Sequence, residues 1–482
     1  MNRLNLCLAV FLFGSAPLDQ AFAQDVGARA IPKAMKKEPT KRRKAASERG
    51  PKIRTEAFFR KRTRTLVNDK WKQLFKQLKK IIASTPDSDP AKPELYYRLS
   101  ELFRERAAAI SISAYEAEDV CLEKADTEAQ QIECENKKAA TVKSSQKYRD
   151  KAIELYMYIA KNFPQYPRLD NVLYALAFNY QQKGQPDKAK KIYSVLITKF
   201  PRSQRVPDTL VNFGEILFQD GQADKAARVY KKVIASHKDS PVYGYARYKL
   251  GWCHYNMGLY AEALSDFLEV VKYSDRQRGG GRNKLVLKRE AIRDVVKTYV
   301  HLERATPKKA LTFFRKIAPD QYMDLCEKLA RLYADKGKFK RSNQMYGELI
   351  KVKKSSYRVV SYQRAIIENA ESLGKQVDSV RELKRLVSLW KHAQKANDAE
   401  PKRVAKDKQG IEALLRRLAT QYHRQASKTK SDEDYNIAYE LYADYMKTFA
   451  GGRDSYDMGY YFAELLMTLQ KWDEAAENYE AI

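Results

Sequence analysis

Three heptapeptides decide the reading of this chain: DKAIELY at 150–156, DKAKKIY at 187–193 and DKAARVY at 224–230. Their alanines, Ala152, Ala189 and Ala226, stand 37 residues apart, and Ala263 extends the series by the same step. Four residues after each comes an aromatic: Tyr156, Tyr193, Tyr230 and Phe267. A fixed period of this length means one supersecondary unit stacked repeatedly. Stacked units present extended surfaces, so the first expectation is binding rather than catalysis.

The residues between the alanines define the unit. Small residues Ala177, Gly214 and Gly251 precede the last three alanines at one fixed spacing, and Gly184, Gly221 and Gly258 at another. Leu173, Leu176 and Tyr180, then Leu210, Phe213 and Leu217, then Tyr248 and Leu250, give apolar residues at helical spacing ahead of each glycine. The pattern predicts helix, glycine-containing turn, helix. The Asp opening each heptapeptide is expected to cap the second helix. Small residues let the paired helices approach, and the aromatic fills the space beside them.

This order of small and aromatic residues resembles the tetratricopeptide repeat, whose consensus is about 34 residues long. The units here are longer, as in several families of periplasmic envelope proteins of Gram-negative bacteria. Phe163-Pro164 and Phe200-Pro201 match the family's proline closing the second helix, and Asp275 stands where that proline would recur. Weaker copies follow in Ala330, Tyr333, Gly337, Ser342 and Tyr346, and in Gly374, Ser379 and Leu383. Thr298, Ala310 and Phe314 form a degenerate unit; Ala438 with Tyr442, then Ala463, Ala475 and Tyr479, form two more. The resemblance covers most of residues 93–482 and is sharp between 148 and 275. It implies an all-α fold, a right-handed superhelical solenoid of stacked helix-turn-helix repeats.

It also implies a groove lined by first-helix residues that avoid the core. Carried over to this chain these are Tyr174, Phe178 and Gln181; Val211, Glu215 and Phe218; Tyr248, Trp252 and Tyr255. The family's best-known peptide grooves place Lys, Arg and Asn there to clamp a terminal carboxylate, a pattern this chain lacks. An aromatic lining suits an apolar or extended peptide, or a helix laid in the groove. The competing reading makes several of these rings plain core.

The chain's first 23 residues have the form of an export signal. Arg3 is the positive start, Leu6 to Phe13 the short apolar core, and Ala21-Phe22-Ala23 a small-x-small cleavage site. The core is too short to span a bilayer comfortably. A mature chain beginning near Gln24 and lying in a bacterial periplasm is expected, and the absence of any Asn-x-Ser/Thr sequon agrees. At the other end the sequence stops at Ile482, inside the second helix of a unit, so the final apolar face expects a cover.

Formal net charge is +31, and residues 29–80 hold 20 Lys or Arg against 4 Asp or Glu. Residues 24–64 read as a basic, disordered arm carrying Lys41, Arg42, Arg43, Lys44, Arg60, Lys61, Arg62 and Arg64. Its expected partner is an anionic envelope polymer or lipid headgroup. An acidic protein is the alternative, and export argues against nucleic acid. Residues 65–92 read as an amphipathic helix and connector, with Val67, Trp71, Leu74, Phe75, Leu78, Ile81 and Ile82 at helical spacing, packing on the array's N-terminal end. The array runs from 93 to 275 with a charged insertion at 108–147. A linker around Gly279-Gly280-Gly281 occupies 276–290, and a degenerate array 291–482.

Cys121 and Cys134 fall in that insertion; in an exported chain a pair thirteen apart predicts a disulfide pinning it. Free thiols or pairing with another chain are the alternatives. Cys253 and Cys326 occupy repeat positions and read as inert core thiols. His237, His254, His301, His392 and His423 are scattered, without metal-ligand spacing. No nucleophile elbow, HExxH or phosphate-binding loop is present, so neither a cofactor nor catalysis is expected. The reading that follows is an adaptor of a bacterial envelope assembly, whether outer-membrane assembly, division-linked wall remodelling, motility or secretion. Two alternatives stand beside it: the non-catalytic part of an enzyme with a domain beyond residue 482, and a polyanion-binding protein led by its arm.

Overall fold

The computed structural model describes residues 56–276, 282–374 and 376–482, and among them the secondary structure is entirely helical, in 19 helices. They divide into two compact units, one of residues up to Cys253 and one from His254 through most of the remainder.

In the first unit α1 spans Glu56–Ser84, α2 Lys92–Leu122, α3 Glu128–Asn162, α4 Leu169–Gln182, α5 Pro186–Lys199, α6 Val206–Gln219 and α7 Ala223–Ser236. The next helix, α8 (Tyr243–Asn256), carries the boundary between the units. Packed helices are neighbours in sequence, as stacked pairs require. The α4/α5 and α6/α7 pairs turn on glycines the sequence marked: Gly184 and Gly221 adopt left-handed φ of 75° and 76°. The following N–H groups, of Gln185 and Gln222, then donate back to Tyr180 O and Leu217 O, both at 2.9 Å. This arrangement satisfies carbonyls that a helix end leaves bare, and only glycine enters it without strain.

Behind the turn, Ala177, Ala189, Tyr193 and Ile216 form one buried cluster. Tyr156, Tyr193 and Tyr230 are fully buried, each contributing on the order of 2 kcal/mol through burial. Gly214 shows why the small position is small: a Cβ there would lie 2.8 Å from the Tyr230 ring.

The heptapeptide aspartates do not cap. Gln185 and Gln222 occupy the N-cap places without side-chain bonds. Asp187 and Asp224 sit second in their helices, within the first turn, and pair with Lys190 and Arg228, both at 2.9 Å, where they favour the helix's positive end. Asp150 lies well inside α3 and pairs with Lys183. The two Phe-Pro steps end α3 and α5 as expected. Without a proline near Asp275, the helix there continues to Arg276.

The N-terminal region differs from its sequence reading. Helix α1 begins at Glu56, so residues 56–64, read as part of the arm, are helical. Arg60, Lys61, Arg62 and Arg64 therefore ride on α1, while Lys41, Arg42, Arg43, Lys44 and the export signal lie outside the described residues. Between Glu56 and Arg64 there is no Gly or Pro, and Lys and Arg are good helix formers, so charge alone did not break the helix. The helix packs through Trp71, which donates to Leu102 O at 3.0 Å and stacks on Phe75 with centroids 5.1 Å apart. Val67, Leu74 and Ile81, counted on its apolar stripe, are exposed.

The presumed insertion at 108–147 is a lengthening of α2 and α3 themselves. Both helices run past the repeat and are joined at 123–127. Thr127 closes the turn with a capping box: Gln130 N–H donates to Thr127 Oγ1 at 3.3 Å, and Thr127 N–H to Gln130 Oε1 at 3.2 Å. Small buried Ala107, Ala114 and Ser145 let the helices approach closely. Cys121 and Cys134 are joined in a disulfide near the tip, with Cα atoms 5.8 Å apart.

The second unit contains α9 (Tyr260–Arg276), α10 (Arg282–Tyr299), α11 (Pro307–Ile317), α12 (Tyr322–Asp335), α13 (Phe339–Val352), α14 (Arg358–Ser372), α15 (Gln376–Ala393), α16 (Pro401–Thr429), α17 (Asp432–Phe449), α18 (Ser455–Thr468) and α19 (Trp472–Ala481). Residues 282–290, read as linker, belong to α10, and Gly279, Gly280 and Gly281 lie outside the described residues. The degenerate copies still bury their marked residues: Ala310, Phe314, Ala330, Tyr333, Ser342, Ala438 and Ala475 are inaccessible to solvent. Ser342 replaces the usual alanine because it accepts a hydrogen bond from buried Asn369 Nδ2 at 2.9 Å. Tyr479 is the exception, at 37% exposure. No described helix is long and apolar enough to cross a membrane.

Candidate binding face of the first helices

In the first unit, α4, α6 and α8 are the first helices of successive pairs, and the groove residues lie along them. Tyr174 and Phe178 stack on α4 with centroids 6.3 Å apart. The Tyr174 hydroxyl accepts from Asn212 Nδ2 at 3.2 Å, and the Arg205 guanidinium sits 5.3 Å from its ring. Burial, and then the charge of Asp208, push that hydroxyl well above the usual tyrosine range. Gln181 Oε1 accepts the Tyr193 hydroxyl at 3.0 Å. Val211 is fully buried and belongs to the core, not to the groove. A β-branched apolar side chain between Leu210 and Asn212 is drawn inward because α6 buries most of its circumference.

Glu215 on α6 is the centre of the face. The Tyr230 hydroxyl donates to its Oε1 at 2.7 Å, and Lys249 Nζ on α8 meets its Oε2 at 3.0 Å. Lys249 is only 6% exposed, and its ammonium lies 4.2 Å from the Phe218 ring centroid. A buried lysine needs this cover: a carboxylate partner and a ring face together replace the water it has lost. Sequence reasoning missed Lys249. The available signal was its register, 37 residues beyond Asn212 and one place after Tyr248.

Tyr248 and Trp252 are partly exposed on α8, beside Lys249 in sequence. Tyr255 falls beyond the unit boundary and belongs to a different cluster. Its hydroxyl meets His301 Nε2 at 3.2 Å, and the His301 ring stacks on Tyr260 at 4.2 Å. The structure thus places Tyr174, Phe178, Glu215, Phe218, Tyr248 and Trp252 on first helices of one unit and assigns Tyr255 to the other.

The polar capacity of the face is already engaged. Gln181 and Glu215 serve buried tyrosines, and Lys249 serves Glu215. A carboxylate clamp on Lys249 would require breaking its buried pair. The remaining offer is ring surface, suited to apolar side chains of a bound segment. Elsewhere Cys253 and Cys326 are buried, and burial pushes the Cys326 thiol up to about 12, far from a reactive thiolate. Among the described residues no group of three or more His, Cys, Asp or Glu is placed to hold a metal ion.

Models of the tetratricopeptide repeat match residues 171–203 and 211–279. No curated protein matches the chain. Among solved structures, a tetratricopeptide repeat protein from Parabacteroides merdae is similar at 13% identity, over 62% of this chain and 98% of that one, with a TM-score of 0.30. The C-terminal part of a repeat-containing protein from Cytophaga hutchinsonii is similar at 16% identity, over 54% and 94%, with a TM-score of 0.32. The structure of Naa15/Naa10 bound to HypK-THB is similar at 13% identity, over 85% and 58%, with a TM-score of 0.33.

Proposed function

We infer that this chain, whose residues 171–203 and 211–279 are tetratricopeptide repeats, works as a protein–protein interaction scaffold. The observation that carries the reading is the strip of partly exposed rings along α4, α6 and α8, set over polar groups already paired with one another through Gln181, Glu215 and Lys249. Such a strip takes an apolar or helical segment of a partner through its ring surface.

We propose further that the scaffold is exported and serves an assembly of the bacterial envelope. The export-type first 23 residues support this, and so does the Cys121–Cys134 disulfide, a bond that persists in oxidising compartments. In the same reading the basic residues ahead of and along α1 attach the scaffold to anionic polymer or lipid. The exported chain, isolated from a periplasmic fraction, is expected to begin at Gln24 and to gain two hydrogens in mass on reduction. Captures from envelope extract with the full chain and with Phe178→Ala and Trp252→Ala variants test the groove. A partner held by the wild type and lost by both variants supports it. Unchanged capture by both variants, with helix content intact, overturns it.

A further inference from the structure

Helices α1 and α2 run antiparallel, in one register over residues 68–82 and 92–106. Lys92 Nζ donates to Ile82 O at 2.8 Å, Trp71 Nε1 to Leu102 O at 3.0 Å, and Arg106 to Asn68 Oδ1. Each step back along α1 is one step forward along α2. Followed to the first residue of α1, the register sets Glu56 level with Glu118. Along the helix axis the chain therefore enters α1 level with the distal part of the α2/α3 hairpin, about 20 Å beyond Glu105.

That end is both apolar and acidic at its surface. Val120, Leu122 and Ile132 around the disulfide are 53%, 37% and 52% exposed. Residues 115–136 hold eight Asp or Glu and one Lys, in a chain of net charge +31. Asp119, Glu123, Asp126 and Glu128 are exposed among them. The capping box at Thr127 and the Cys121–Cys134 bond fix this acidic, apolar platform in place. The segment delivered to it, residues 29–55, has the opposite character: eleven Lys or Arg against two Asp or Glu, with Ile31, Met35 and Ile53 interspersed. From Glu56 back to Lys44 an extended chain reaches roughly 40 Å, ample to cover the platform.

We propose that the tip of the α2/α3 hairpin binds residues 29–55 of its own chain. Lysines and arginines face the carboxylates, and apolar residues cover Val120 and Ile132. The contact deepens the proposed attachment of the basic residues to anionic polymer or lipid: such a ligand must displace the tip, so attachment exposes the platform and salt weakens both states.

Carbodiimide cross-linking of the full chain, which joins a lysine to a carboxylate in direct contact, tests this in a mixture of unlabelled and isotope-labelled protein. Links between lysines of residues 33–52 and carboxylates of residues 116–128 are expected within single copies, falling at least fivefold in 0.5 M salt. Reversal of the tip (Asp119→Lys, Glu123→Lys, Asp126→Lys, Glu128→Lys) is expected to abolish them. So is reversal of the basic segment (Lys36→Glu, Lys37→Glu, Lys41→Glu, Lys44→Glu). Combining the two reversals is expected to restore them. Links formed only between copies, or no restoration in the doubly reversed chain, overturn the proposal. Retention on phosphatidylglycerol vesicles is a separate readout: its absence overturns the lipid attachment and leaves the intramolecular contact standing.

Discussion

The Tyr230 hydroxyl donates to Glu215 Oε1 at 2.7 Å while Lys249 Nζ holds the other oxygen of that carboxylate at 3.0 Å. The first half of this relationship repeats. Tyr193 donates to Gln181, and Tyr156 to Glu101, so in three successive pairs the aromatic of the second helix is tied to a first-helix acceptor. Packing demands a large ring at that place, and the ring's polar tip then demands an acceptor. Only the Glu215 pair adds a buried cation from the next first helix.

Glu215→Ala should therefore strand Lys249 and the Tyr230 hydroxyl together. Removing one partner of a buried ion pair costs about 3–5 kcal/mol. Hydrogen exchange in α6 and α8 is expected to accelerate accordingly. The double variant Glu215→Ala with Lys249→Met leaves no buried charge and should recover most of the protection. If the double variant exchanges as fast as the single one, the ion pair is not what the carboxylate supports.

Gly214 is the second stress point. The Cβ of alanine would fall 2.8 Å from the Tyr230 ring, which is fully buried. Gly214→Ala is expected to destabilise the first unit by about 1–3 kcal/mol, as overpacking does, despite alanine's better helix propensity. Thermal unfolding followed by circular dichroism would show it; a raised Tm would mean the ring yields.

Reduction of the Cys121–Cys134 bond should act locally. A crosslink closing a loop of this size restrains the unfolded hairpin by about 3 kcal/mol. The paired variant Cys121→Ser with Cys134→Ser is expected to lose exchange protection along the distal halves of α2 and α3. The amides of α4 to α7 should be unaffected, because stacked elements depend chiefly on their neighbours. Equal loss in both regions would mean that the hairpin and the repeats unfold as one.

The fold was legible because its requirements are local. A glycine at a left-handed turn and a small residue opposite an aromatic must recur wherever the unit recurs, and Gly184, Gly221, Ala189 and Tyr193 announce it. The site was only half legible. Periodicity says that Val211 and Tyr174 share a register but not that one is drawn into the core. It also cannot show that Lys249 is buried, because that burial depends on Glu215 and Phe218 from the preceding pair. The hairpin was misread for a different reason. A charged stretch with no apolar stripe looks like an excursion, whereas Ala107, Ala114 and Ser145 bind two helices through small contacts that hydropathy barely registers.

Gln470 occupies the turn position that glycine holds in other pairs, at a left-handed φ of 59°. The N–H of Lys471 still donates back to Leu466 O at 3.0 Å, so the turn keeps its form at a steric cost. Gln470→Gly removes a penalty of about 1 kcal/mol. Slower amide exchange in α19 is the expected outcome, and faster exchange would show that the glutamine side chain contributes more than its backbone costs.

The last prediction concerns acid. His301 is held below the ordinary histidine range, by burial first and then by the charges of Lys338 and Lys336. Its ring stacks on Tyr260 and its Nε2 meets the Tyr255 hydroxyl at 3.2 Å. His423 is likewise lowered by burial, against the opposing charge of Glu464. A base whose folded value lies below its unfolded value binds its proton more readily in the unfolded chain. Below about pH 6.5 the unfolded state therefore holds more protons, and stability falls as pH drops. The second unit should lose Tm steadily from pH 7 to pH 5. His301→Gln, which can still meet the Tyr255 hydroxyl but does not titrate, is expected to flatten that slope in part, leaving the share due to His423. A slope unchanged in His301→Gln would place the acid sensitivity elsewhere; a slope steeper than the wild type's would mean that His301 gains rather than loses by protonation in the folded chain.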